Sequence, residues 1–98
     1  MTINEWTKTV GEWADKQFPD RTVMGTISKL VMEEIPEFIA SKGKEPDEFA
    51  DLLILILDVA HQTGIDLEKA IEVKHQRNLR RTWAKNDLGV YHNTGEKS

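Results

Sequence analysis

The amino-acid sequence predicts an all-α fold, a small four-helix bundle, and three observations carry the prediction. Apolar residues recur at helical spacing through four segments. Prolines, glycines and short polar residues punctuate those segments where helices start and stop. No stretch alternates apolar and polar side chains between hairpin turns, as a strand pair would. With 98 residues, 39% hydrophobic and 31% charged, the composition is that of one globular domain, residues 1–86, followed by a polar, glycine-punctuated tail at 87–98.

The first helix is predicted from Ile3 or Asn4 to Gln17. Thr2 and Glu5 have the spacing of a capping box, Pro19 stands beyond the end, and Ile3, Trp6, Val10 and Trp13 form the apolar stripe. The second helix starts between Arg21 and Gly25 and reaches Ser41, where Gly43 supplies a stop. Its inward stripe of Val23, Ile27 and Leu30 continues as Glu34 and Glu37. The third opens at Pro46, a residue suited to a first turn, and runs to Thr63 ahead of Gly64. Asp66 caps a fourth helix, predicted to continue to Trp83 or Lys85. Connections of a few residues favour antiparallel neighbours. The third helix is apolar nearly all round from Phe49 to Val59, and three short helices can hardly enclose it within one small subunit. A homo-oligomer with this helix near the subunit contact is therefore expected.

A net charge of −4 opposes a general affinity for nucleic acid, which needs cationic surface to replace condensed counterions. The absence of cysteine excludes disulfides and thiolate zinc sites, in keeping with a reducing compartment. The acidic, tryptophan-bearing N-terminus is unlike a signal peptide, and the apolar run Leu52 to Leu57 is too short to span a bilayer. A cytoplasmic protein without a membrane partner is expected.

Two segments carry paired acids: Glu33, Glu34 and Glu37 on the second helix, and Glu48 with Asp51 on the third. Residues three apart share a helix face. Glu34 and Glu37 continue an apolar stripe and so point where the core is, and Asp58 extends the side of Asp51. Carboxylates converging in a partly dry site repel one another, so a cation is required. All-oxygen ligands suit Mg2+, or Mn2+, better than zinc. The alternative is a pair of surface patches, tenable for Glu48 near a helix N-terminus and weaker for the mid-helix Glu34 and Glu37.

On the fourth helix the apolar stripe Leu67, Ala70 and Ile71 turns basic as Lys74, Asn78 and Arg81, with Arg77 beside it. Such a cationic end beside a carboxylate-held metal suits a polyphosphate. Alternatively these cations pair with the glutamates and complement the helix C-terminus, or, least in keeping with the acidic whole, contact nucleic acid.

Glu33-Glu34-Ile-Pro-Glu37 followed by Glu48-Phe-Ala-Asp51 resembles the EExxE and ExxD signature of MazG-like nucleotide pyrophosphohydrolases. The run KHQRNLRRTWAKNDLGVYH, from Lys74 to His92, is similar to that family's helix-four pattern, and the resemblance spans about residues 29–92. It implies an all-α nucleoside triphosphate pyrophosphatase fold, a homodimer or homotetramer, and Mg2+-dependent hydrolysis of a (deoxy)nucleoside triphosphate to monophosphate and pyrophosphate. It further implies Glu34, Glu37, Glu48 and Asp51 as metal ligands, with Lys74, Asn78 and Arg81 at the phosphates. Glu33, turned about 100° from Glu34, is then a group that supports the ligands from behind or a base, with Glu37 the other candidate for orienting or deprotonating the attacking water. Related substrates such as phosphoribosyl-ATP, and a non-catalytic oligomerisation module with a structural metal, are the alternatives.

Two features depart from the family pattern. Pro36 lies inside the first motif, where it removes a backbone donor and crowds the Met32 carbonyl, so that a kink would re-aim Glu37. The gap between the motifs is also short. For the nucleotide base, Trp6, Trp13, Phe18 and Trp83 offer an aromatic wall, although aromatics at helical spacing commonly belong to the core. Tyr91 and His92 are candidates to close over the site. His61 and His75 have no metal-ligand spacing and read as surface or capping residues.

Overall fold

The capping box at Thr2 forms. The computed structural model describes residues 1–96, and in it the Thr2 hydroxyl accepts the Glu5 N–H at 3.1 Å while the Glu5 carboxylate accepts the Thr2 N–H at 2.9 Å. Helix α1 (Ile3–Gln17) follows. A second rod comprises α2 (Val23–Lys29), a π turn at Leu30–Glu34 and α3 (Ile35–Ala40). The backbone stays right-handed helical through both junctions, so the rod is continuous. Helix α4 (Pro46–Thr63) has Pro46 in its first turn and ends at Gly64, whose φ of 70° gives the left-handed cap. Helix α5 (Leu67–Leu79) comes next, and two strands complete the chain, β1 (Arg81–Lys85) and β2 (Tyr91–Glu96).

The chain divides into two units, Met1–Glu68 and a second beginning at Lys69. In the first, α1 and the second rod both pack on α4. Its buried residues include the apolar Ala14, Leu57 and Ala60 and the polar Thr7, Thr26, Glu34 and Asp58. These two rods do not enclose α4. Phe49, Leu53 and Ile56 stay 53%, 55% and 40% exposed, a large apolar stripe left open on one helix.

Asp58 is where the sequence reading needs correction. It does not extend the acidic edge of Asp51; Arg21 grips it with two hydrogen bonds of 2.8 Å, from Nε and Nη2. Gln62 donates to the same carboxylate and to the Thr26 hydroxyl, both at 3.0 Å. Arg21 also reaches Asp15 at 2.8 Å, and Asp15 lies 2.9 Å from His61 Nε2. His61, expected at the surface or in a cap, is instead partly buried over Gly11, where a Cβ would collide with its ring. In the sequence Arg21 marks only the approach to a helix start; the packing of α1 against α4 makes it the hub of a polar layer.

The second unit departs from expectation in two places. Helix α5 stops at Leu79, short of Trp83 and Lys85, and the segment expected as a tail supplies a strand. β1 and β2 are antiparallel, with Trp83 opposite Asn93 and Lys85 opposite Tyr91, and a bulge between Thr82 and Trp83. Asn86 organises the turn: its side-chain oxygen accepts the N–H groups of Leu88 and Val90, and Gly89 takes φ 78°. The helical class stands with a hairpin added. Strands this short and this exposed have no buried face to impose alternation, so the usual sequence signal is missing. Residues 97 and 98 of the expected tail lie outside the described residues.

Candidate metal centre

The two acidic motifs meet inside the first unit. Glu34 and Glu37 come from the second rod, Glu48 from the first turn of α4 and Asp51 from the turn after it. One carboxylate oxygen from each of the four lies within 4.8 Å of all the others. Glu34 is 9% exposed, Glu48 is partly buried, and Glu37 and Asp51 face solvent. Glu34 Oε2 and Glu48 Oε2 are buried without a hydrogen-bond partner. Buried acceptors of this kind are costly, and more so when their neighbours share their sign.

The electrostatics agree with the geometry. Burial, followed by the charges of Glu37, Asp51, Glu34 and Asp47, raises the Glu48 carboxyl above its usual 4.5. The only cation paired with these residues among the described interactions is Lys29. It hydrogen-bonds Glu33 and stands 3.6 Å from Glu34 Oε1, so a single exposed ammonium faces one edge of the cluster. Two orphaned oxygens in an all-carboxylate donor set are what a hard divalent cation such as Mg2+ or Mn2+ satisfies. Glu33, exposed and turned to Lys29, is not part of the four. The signal for Lys29 in the sequence is its four-residue spacing to Glu33, a recognisable helix pair.

A pH dependence follows. Between 4.5 and the raised value, the folded chain holds a proton on Glu48 that the unfolded chain has released. This group's contribution to stability therefore falls as pH rises through that window. A bound cation must displace the same proton, so Mn2+ affinity is expected to rise across the window in calorimetric titrations at stepped pH. A flat affinity would contradict the assignment of Glu48.

The predicted phosphate-binding residues belong to the second unit. Lys74, Arg77 and Asn78 are on α5, whereas Arg81 begins β1 instead of prolonging the helix. Asn78, Arg81 and Trp83 gather at the helix end: Arg81 Nη1 donates to Asn78 Oδ1 at 3.4 Å, and Trp83 Nε1 donates to the Asn78 carbonyl at 3.2 Å. Arg81 Nε is buried without a partner. His92 is 2.8 Å from the Asn86 amide at the hairpin turn. Trp6, half exposed, stays apart from the cavity of about 340 Å³ whose lining includes Val10, Trp13, Phe18, Arg21, Lys29 and Ile54. There Trp13 and Phe18 meet edge to face, with centroids 5.5 Å apart.

Comparison with known proteins narrows the chemistry. A dATP/dGTP diphosphohydrolase of Cyanophage S-2L is 44% identical over 90 residues, covering 91% of this chain and 85% of the phage protein. Another, from Salmonella phage PMBT28, is 39% identical over 90 residues. That match covers 92% of this chain but 31% of the relative, so the chain spans less than a third of that protein's length. Among solved structures, the Cyanophage S-2L MazG-like pyrophosphohydrolase, bound to dGDP and three catalytic Mn2+ ions per active site, aligns with a TM-score of 0.87 at 39% identity. The alignment covers 100% of this chain and 99% of that one. The model of the dATP/dGTP pyrophosphohydrolase family matches residues 6–94, nearly the whole chain, and the chain belongs to that family.

Proposed function

We propose that this chain hydrolyses a purine deoxynucleoside triphosphate to the monophosphate and pyrophosphate, using Mg2+ with Mn2+ as its substitute. The purine preference comes from the names of its relatives, and the divalent cation from the Mn2+ ions of the S-2L protein. The single observation that carries the reading is the meeting of Glu34, Glu37, Glu48 and Asp51, two of them with buried, unpartnered oxygens.

Glu34, Glu37, Glu48 and Asp51 would hold the cation, which would neutralise phosphate charge and make the attacking water more acidic. Glu33 or Glu37 orients the attacking water and takes its proton as oxygen bonds to the α-phosphorus. The bond from that phosphorus to the bridging oxygen breaks, and pyrophosphate leaves. Lys74, Arg77, Asn78 and Arg81 bind the phosphate oxygens; the run of cations and amide on one stretch of α5 and the start of β1 supports this role. Trp6, Trp83 and His92 contact the nucleoside. No nucleophilic side chain is needed, because water attacks directly.

The experiment is a panel of dATP, dGTP, other nucleoside triphosphates and phosphoribosyl-ATP with Mg2+ or Mn2+, assayed for pyrophosphate against orthophosphate. Pyrophosphate released from dATP or dGTP is the expected result. Orthophosphate, or no turnover of any nucleotide, would refute it.

The protein also works as a homodimer or homotetramer in the cytoplasm. The exposed Phe49, Leu53 and Ile56 stripe of α4 supports self-association, and no helix of the described residues is long and apolar enough to cross a membrane. Light scattering should return two or four times the 11.2 kDa chain mass; the mass of one chain would exclude the assembly.

A further inference from the structure

We infer that Pro36 is a positioning residue: it imposes the π turn at Leu30–Glu34, and the turn selects Glu34 over Glu33 as the carboxylate aimed at α4. This rests on the cation site proposed above. In an unbroken α-helix, Pro36 would leave the Met32 carbonyl without a donor and press its ring against that oxygen. The rod instead widens immediately ahead of the proline. The Ile35 N–H reaches back five residues to the Leu30 carbonyl, which defines a π turn. Pro36 then falls in the opening positions of α3, where a missing N–H matters least.

The turn changes which side chains face inward. An α-helix advances about 100° per residue, so residues seven apart share a face and residues eight apart diverge by about 80°. Thr26 and Glu34 stand eight apart, yet both are buried, at 7% and 9% exposure. Glu33, seven from Thr26, is exposed and paired with Lys29. Absorbing one residue in the π turn accounts for both, because the eight-residue interval then acts as seven. Phe38, twelve from Thr26, obeys the same shift: it is partly buried and meets Phe49 of α4 edge to face at 4.9 Å. A regular helix would bring Glu33 into line with Thr26 and turn Glu34 aside.

Pro36→Ala on the full chain tests this in three readouts. The Ile35–Leu30 hydrogen bond, followed by NMR couplings across it, is expected to disappear. The thermal midpoint holds or rises, since alanine is the better helix former. Mn2+ affinity by calorimetry falls by about 10- to 100-fold, as for other changes that misalign metal ligands. The diagnostic result is an exchange of dependence in Mn2+ affinity: Glu33→Gln, which hardly changes Mn2+ affinity in the parent, weakens the remaining Mn2+ binding in Pro36→Ala, and Glu34→Gln no longer does. Pro36→Ser, which also restores the N–H, gives the same readouts if the alanine variant does not fold. Persistence of the Ile35–Leu30 bond in either variant, or Mn2+ binding that still depends on Glu34 and not on Glu33, overturns the inference. If the unsubstituted chain binds no Mn2+, the cation site itself fails, and the hydrogen-bond readout decides separately whether Pro36 sets the turn.

Discussion

Glu34→Gln is expected to abolish pyrophosphate release while helicity and molar mass in solution stay unchanged, and Asp51→Asn to do the same. Each removes one charge from a set of four carboxylates that meet within 4.8 Å. Changes in groups that merely orient metal ligands typically cost 10- to 100-fold, so loss of a ligand should cost at least about 100-fold. The stability of the cation-free chain should move the other way. Glu34 has a buried oxygen with no partner, and a neutral amide of the same shape relieves repulsion among like charges. Urea denaturation with and without Mn2+ reads both effects: the cation-free midpoint holds or rises, and the stabilisation by Mn2+ shrinks. A wild-type rate in either variant would defeat the ligand assignment, and a lower cation-free midpoint for Glu34→Gln would show that its carboxylate is already satisfied.

Arg21→Met is expected to cost about 3–5 kcal/mol, the range for stripping one partner from a buried ion pair. Asp58 is 5% exposed, and Arg21 supplies two of its hydrogen bonds. Its loss leaves a buried carboxylate with only Gln62 in support. The mutual attraction is also visible in the guanidinium, whose proton affinity is raised, chiefly by hydrogen bonding to Asp58. Domains commonly have only about 5–15 kcal/mol in total, so the variant should populate unfolded chain at modest urea. Replacing both residues, Arg21→Met with Asp58→Leu, should recover most of the loss, because the penalty arises from the orphaned charge and not from absence of the pair. Equal destabilisation of single and double variants would place the cost in packing instead.

The acidic motifs were legible because helix geometry fixes neighbours within a helix: Glu34 with Glu37, and Glu48 with Asp51, share faces wherever a helix forms. The capping box at Thr2 and the helix stop at Gly64 were legible for the same local reason. Asp58 was misread, since its seven-residue spacing from Asp51 says nothing about the partner waiting on another segment. Lys29 was overlooked despite its helical spacing to Glu33. The hairpin was missed because Arg81–Lys85 and Tyr91–Glu96 are held by a turn and by backbone pairing, not by a buried apolar face.

What the order of residues decided alone was local: where four helices begin, which acids lie side by side on each, and where proline must disturb a regular turn. These follow from backbone geometry over a few residues. Only packing of the second rod against α4 decided that two acidic pairs share one pocket, and only packing of α1 and the second rod against α4 decided that Asp58 belongs to Arg21. Those outcomes depend on distances between segments far apart in the chain, which local spacing does not specify.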